Sequence, residues 1–161
     1  MTVIDTLITD RTAADVSALK QLMSKSFASM TTAEQTAWLA NSKGAYNTSD
    51  MNRVGTALNY LKQVLTDQCG KYFKWAAKTD WLYTDIPTLT QLQTYVAWIA
   101  DIRTALTLPN GVPAVPTMSK LTWQQANDIE QILVVCDQLI ANLMTAFKYT
   151  NAAECSTGGL I

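Results

Sequence analysis

Apolar residues recur at spacings of three and four along most of the chain, the period of a helix with one buried face. Val16, Leu19, Leu22/Met23 and Phe27 mark a first helix from about Ala13 to Phe27, capped by Thr12. Thr31-Thr32-Ala33-Glu34-Gln35 holds two overlapping capping boxes and opens a short second helix carrying Ala37, Trp38 and Leu39. Lys43-Gly44 is expected to end it, glycine being the low-cost left-handed residue after a helix. The cap-forming run Asn47-Thr48-Ser49-Asp50 opens a long helix from Asp50 to Gln68, with Gly70 closing it. Its stripe is Met51, Val54, Leu58, Leu61 and Val64/Leu65. Gly55 sits inside this helix, where glycine costs about 1 kcal/mol relative to alanine. A close helix–helix approach would account for it.

The period changes after Gly70. Lys71-Tyr72-Phe73-Lys74-Trp75-Ala76 alternates and is aromatic, which suits an extended segment or hairpin. Asp85-Ile86-Pro87-Thr88 reads as a turn, and a helix from about Thr88 to Thr107 follows, with Leu89, Leu92, Val96, Ile99, Ile102 and Leu106 inward. Three prolines and Asn110-Gly111 make residues 108–116 a loop. Thr122-Trp123-Gln124-Gln125 is a capping box for a last helix, along which Trp123, Ala126, Ile129, Leu133, Cys136, Ile140, Leu143 and Phe147 repeat. The fold class predicted is all-α. A single-domain bundle of four to five helices spans residues 1–149, a short extended or hairpin insert lies around residues 71–84, and residues 150–161 form a flexible tail.

Composition narrows the chemistry. The chain has 161 residues, 48% hydrophobic and 16% charged, and no histidine. The missing histidine removes His-dependent triads, His metal sites and His pH switches. A net charge of −1 provides no field to gather nucleic acid or an anionic membrane surface, so neither is an expected partner. Met1 to Asp5 lacks the basic and apolar regions of a signal peptide. The apolar stretch Ile132 to Phe147 is interrupted by Asp137, Gln138 and Asn142, so no membrane span is expected. Cys69 and Cys136 fall on apolar helical positions and are expected buried, whereas Cys155 lies in the tail and is expected exposed. No cofactor or metal is expected.

Three groups of residues could carry chemistry. Asn47, Asp50, Asn52, Arg53 and Asn59, beside Tyr46 and Tyr60 and with Asn127, Asp128 and Glu130 on the last helix, could line a ligand or sugar site of amides, carboxylates and aromatics. The same residues could instead serve as caps and an interhelical ion pair, with Arg53 and Asp128 as the pair to test. The structural network expected from this set is Asn47, Asp50, Arg53, Asp128 and Glu130. Lys71, Lys74 and Lys78 among Tyr72, Phe73 and Trp75 have the chemistry of a single-stranded nucleic-acid platform, but three lysines in a net-negative chain fit better a two-faced strand with Phe73 and Trp75 inward and the lysines outward. Asp80, Asp85 and Glu130 could supply a hydrolytic carboxylate pair, although Asp80 and Asp85 both occupy turn positions. No phosphate loop, nucleophile elbow or metal-ligand run accompanies them.

Several segments taken together are distinctive. They are Leu7-Ile-Thr-Asp-Arg-Thr12, Lys43-Gly-Ala-Tyr-Asn47 with Asp50-Met-Asn-Arg-Val54 and Asn59-Tyr-Leu61, Lys78-Thr-Asp-Trp81 with Asp85-Ile-Pro-Thr88, and Leu121-Thr-Trp123 with Ala126-Asn-Asp-Ile-Glu-Gln-Ile-Leu133. Over residues 7–148 the chain resembles a family of small, largely uncharacterised proteins of tailed phages and prophages of Gram-positive and gut bacteria, encoded near tail and minor structural genes. The Lys71–Trp75 stretch and the residues after Tyr149 depart from that pattern. The resemblance implies no catalytic residue. It implies a virion or tail-associated structural or adaptor protein, made in the bacterial cytoplasm, that contacts other phage structural proteins and its own copies. Trp75, Trp81, Tyr83 and Trp98 are the interface candidates, since tryptophan and tyrosine are favoured there. A phage-encoded regulator of a host protein and a carbohydrate-binding module are the alternatives.

Overall fold

The computed structural model describes residues 2–40, 42–119 and 121–157, with side chains to residue 148. Five α-helices follow a 3₁₀ turn at Val3–Thr6: α1 (Ala13–Met23), α2 (Thr32–Leu39), α3 (Thr48–Cys69), α4 (Leu89–Thr104) and α5 (Trp123–Thr157). There is no strand among the described residues. The protein is an all-α bundle, and its core is built from three of the helices. Val54, Leu58, Leu61 and Leu65 of α3 meet Tyr95, Ile99 and Ile102 of α4 and Ile129, Ile132, Leu133, Cys136 and Ile140 of α5. Each helix contributes the three-and-four stripe that its sequence shows, except that Tyr95 of α4 is buried where Leu89 is not, and that Leu143 and Phe147, expected inward on α5, are exposed because they lie beyond Ile140, the last buried position of that helix. Burying Cys136 there pushes its thiol up to about 11. Between Trp123 and Lys148, α5 is also long and apolar enough by composition to cross a membrane. Its inward side chains are those of the bundle core.

The caps follow the sequence closely. Thr12, Thr31, Asn47 and Thr88 each accept from the backbone three residues on, and Asp15, Glu34, Asp50 and Gln91 answer them. Gly70 is left-handed at φ 63° and closes α3.

Several boundaries differ from expectation. The first helix stops at Met23, and Phe27 begins a separate 3₁₀ turn. The Ser24 hydroxyl bonds the Gln21 carbonyl and the Ser29 hydroxyl bonds that of Ser26, so serines here divert the backbone from a continuous helix. Phe27 stays 47% exposed, so no burial compensates for extending the helix. Gly44 neither ends α2, which stops at Leu39, nor is it left-handed. It lets the chain pass α1, where a Cβ would sit 2.3 Å from the Asp15 carbonyl oxygen. Cys69 is exposed rather than buried, because it lies at the far end of α3, one turn beyond Leu65. The last helix runs on to Thr157, past the boundary expected at residue 149. The side chains beyond residue 148, that of Cys155 among them, lie outside what the structure describes.

The insert at 71–84 is extended but forms no hairpin. Side chains of α3 take the part of a neighbouring strand. Asn59 accepts from the Ala77 amide (2.8 Å) and donates to its carbonyl (2.9 Å). Asn52, two turns earlier on the same face, does the same for Trp81 (2.7 and 2.9 Å). Lys62 donates to the Trp75 carbonyl at 2.5 Å and Thr66 to that of Lys71 at 2.7 Å. Buried backbone groups need partners, and here helical amides provide them. The segment therefore lies so close to α3 that a Cβ on Gly55 would fall 2.3 Å from the Lys78 carbonyl oxygen. The close neighbour of Gly55 is this extended chain, not another helix.

Candidate functional site

The chain has three arginines, and two of them meet in the interior. Arg11 lies in the extended segment between the first 3₁₀ turn and α1, and is only 2% exposed. Asn127 of α5 holds it there, accepting from the Arg11 amide (3.0 Å) and donating to its carbonyl (2.9 Å). Arg11 Nη2 donates to Asp50 Oδ1 at 2.8 Å and to Glu130 Oε1 at 2.6 Å, and Nη1 donates to the Ile8 carbonyl at 2.6 Å. Arg53, one turn along α3 from Asp50, sends Nη2 to the same two oxygens, at 2.5 Å to Asp50 and 2.9 Å to Glu130. Its Nε reaches Glu130 Oε2 at 3.1 Å. The Ile8 amide also donates to that oxygen, at 2.6 Å.

The result is a compact square of two guanidiniums and two carboxylates with no net charge. It ties the N-terminal segment, α3 and α5 together at one end of the core. Glu130 is fully buried and each of its oxygens has two protein donors. The second oxygen of Asp50 accepts from the Asn47 amide and completes the α3 cap. Burial works against the charge on Arg53, but the hydrogen bonds and charges of Glu130 and Asp50 outweigh it and raise its pKa above the ordinary guanidinium value. The Arg11 guanidinium lies over the Tyr46 ring, 5.5 Å from its centroid. The Tyr46 and Tyr95 hydroxyls hydrogen-bond to each other, and burial raises both phenols, with the nearby carboxylates adding to the effect. Arg11 Nε is buried without a hydrogen-bond partner.

Of the expected network, Asn47, Asp50, Arg53 and Glu130 come together and Asp128 does not join them. No ion pair links Asp128 to Arg53. Positions 128 and 130 differ by about 200° around the helix, so only one of them can face α3. Arg11 is the member that sequence reasoning missed; its only signal was an arginine beside the α1 cap. Asn52 and Asn59 are engaged on both amide atoms by the insert, which leaves the expected sugar-binding set without its free amides. Asp80 and Asp85 lie around Lys78, at 2.6 and 3.8 Å, while Glu130 is committed to the arginines. The three carboxylates therefore do not form one site.

The aromatic candidates separate as well. Trp75 stacks on Trp98 at 5.6 Å between centroids and donates its indole N–H to Asp101 at 2.7 Å. Phe73, Trp75 and Trp98 pack on the core while Lys71 and Lys74 point outward, the two-faced arrangement that the alternation suggests. Trp81 is buried under Lys78. Of the four interface candidates, Tyr83 alone is broadly exposed, at 92%. Among the described residues no group of three or more cysteine, aspartate or glutamate side chains is placed to hold a metal ion. Comparison with protein-family models, with curated proteins and with solved structures finds no match to this chain.

Proposed function

We propose that this chain is a non-enzymatic structural or adaptor protein of a phage particle, tail-associated, that works through protein–protein contacts. The observation that carries the reading is the α1–α2 hairpin. Neither helix buries a single residue within the chain. The hairpin exposes Met23, Phe27, Trp38 and Leu39 at 64, 47, 40 and 70%. Helices of 11 and 8 residues are too short to be stable alone, and four large apolar side chains left exposed on one such short hairpin suit a contact surface. The resemblance to phage proteins encoded near tail genes supplies the setting. The interior polar cluster supports the reading too, since its carboxylates are committed to arginines.

Lysine cross-linking of purified particles followed by mass spectrometry tests this. Lys20 and Lys25 lie on the hairpin and the turn after α1. The chain is expected in the particle, with cross-links from these lysines to another structural protein. Absence of the chain from particles, with recovery on a host protein instead, would replace this reading with the regulator.

A further inference from the structure

We infer that the chain pairs with a second copy of itself through one apolar surface, each copy seating its 82–89 turn in the groove of the other. The turn exposes Leu82, Tyr83, Ile86 and Leu89 at 61, 92, 90 and 63%. It is held in shape from within. The Asp85 amide donates to the Leu82 carbonyl at 2.9 Å, and Asp85 Oδ2 accepts from the Leu82 amide at 3.0 Å. Buried Trp81 anchors one side and the Thr88 cap of α4 the other. Its one charged residue, Asp85, is thus turned back to the backbone and to Lys78, so the projecting surface is neutral. A surface held ready in this way loses little entropy on binding.

Beside the turn lies a groove of about 540 Å³ between α4 and the 115–119 loop, lined by Leu89, Val96, Ala97, Val115, Pro116 and Met118 among others, none of them charged. Leu89 belongs to both features, so the projection and the recess are neighbours on one face. That is the arrangement a two-fold axis needs, because the same patch must serve on both copies. Charge points the same way. A neutral groove offers nothing to a charged partner, and the neutral apolar turn matches it. The four exposed residues offer on the order of 500 Å² before the groove is counted, the larger part of one partner's share of a standard interface. A stable interface needs about 800 Å² per partner.

This pairing goes beyond the particle role, and it is measured on the isolated chain, so the two readings stand or fall separately. Sedimentation equilibrium is run on the wild type to about 100 μM, above the range expected for a standard interface, and on three variants. Ile86→Glu charges the turn, Ala97→Glu charges the groove, and Phe147→Glu charges an exposed apolar residue elsewhere, 68% exposed. The wild type and Phe147→Glu are expected at twice 17.7 kDa, and the other two at 17.7 kDa with unchanged circular dichroism. A wild type that stays monomeric throughout overturns the inference. So does a dimer that survives Ile86→Glu or Ala97→Glu, since it must use another surface.

Discussion

Glu130→Ala lowers the free energy of unfolding by about 3–5 kcal/mol, the usual cost of removing one partner from a buried ion pair. The side chain is fully buried, and it is the acceptor for Arg11, Arg53 and the Ile8 amide. Without it two guanidiniums share one carboxylate, Asp50, away from water. The Ile8 amide also loses its acceptor, and unpaired buried donors cost about 1–3 kcal/mol each. The exposed Lys25–Glu34 pair is a useful contrast. Its side chains are 42 and 27% accessible, so breaking it costs about 0–1 kcal/mol. Urea unfolding followed by circular dichroism reads both, as a fall in midpoint at unchanged slope.

Gly55→Ala destabilises the fold, although alanine is the better helix former by about 1 kcal/mol. The added Cβ would stand 2.3 Å from the Lys78 carbonyl oxygen and 3.3 Å from its carbon. Backbone cannot swing aside as a long side chain can. Here it is also held on both sides, by the Asn52–Trp81 and Asn59–Ala77 amide pairs. Relief requires lifting the insert from α3 and loosening those bonds. The net loss expected is about 1–3 kcal/mol, the range for forced overpacking. Differential scanning calorimetry checks it, and a rise in melting temperature would mean that the insert is not held against α3.

Local rules made much of this structure legible. Caps such as Thr12, Asn47 and Thr88 depend only on residues three apart, so their positions could be read directly. The stripes of α3 and α5 are equally local, and they define the core. What stayed hidden depends on contacts distant in the chain. Arg11 is far from Asp50 and Glu130 in sequence, and nothing near it shows that it turns inward. Asn52 and Asn59 look like outward polar residues of a helix until the insert is laid across them. The insert is readable as extended, but its partner is a row of helical side chains, where the hairpin alternative would have supplied a second strand. Phe73 and Trp75 could be placed inward by alternation, whereas the burial of Trp81 and the exposure of Tyr83 depend on the turn that begins at Leu82.

The central claim is that the charged residues most suggestive of a site serve the fold instead, as a neutral square. A double-mutant cycle on Arg11 and Glu130, each replaced by Met, tests it most directly. Glu130→Met leaves two arginines facing Asp50, and Arg11→Met leaves two carboxylates facing Arg53. The double variant restores balance, because Arg53 and Asp50 already pair at 2.5 Å. Unfolding free energies should therefore show the double variant better than the sum of the singles by about 2 kcal/mol or more, within the range of networked residues. Strict additivity, with both single variants near wild type, would contradict the account.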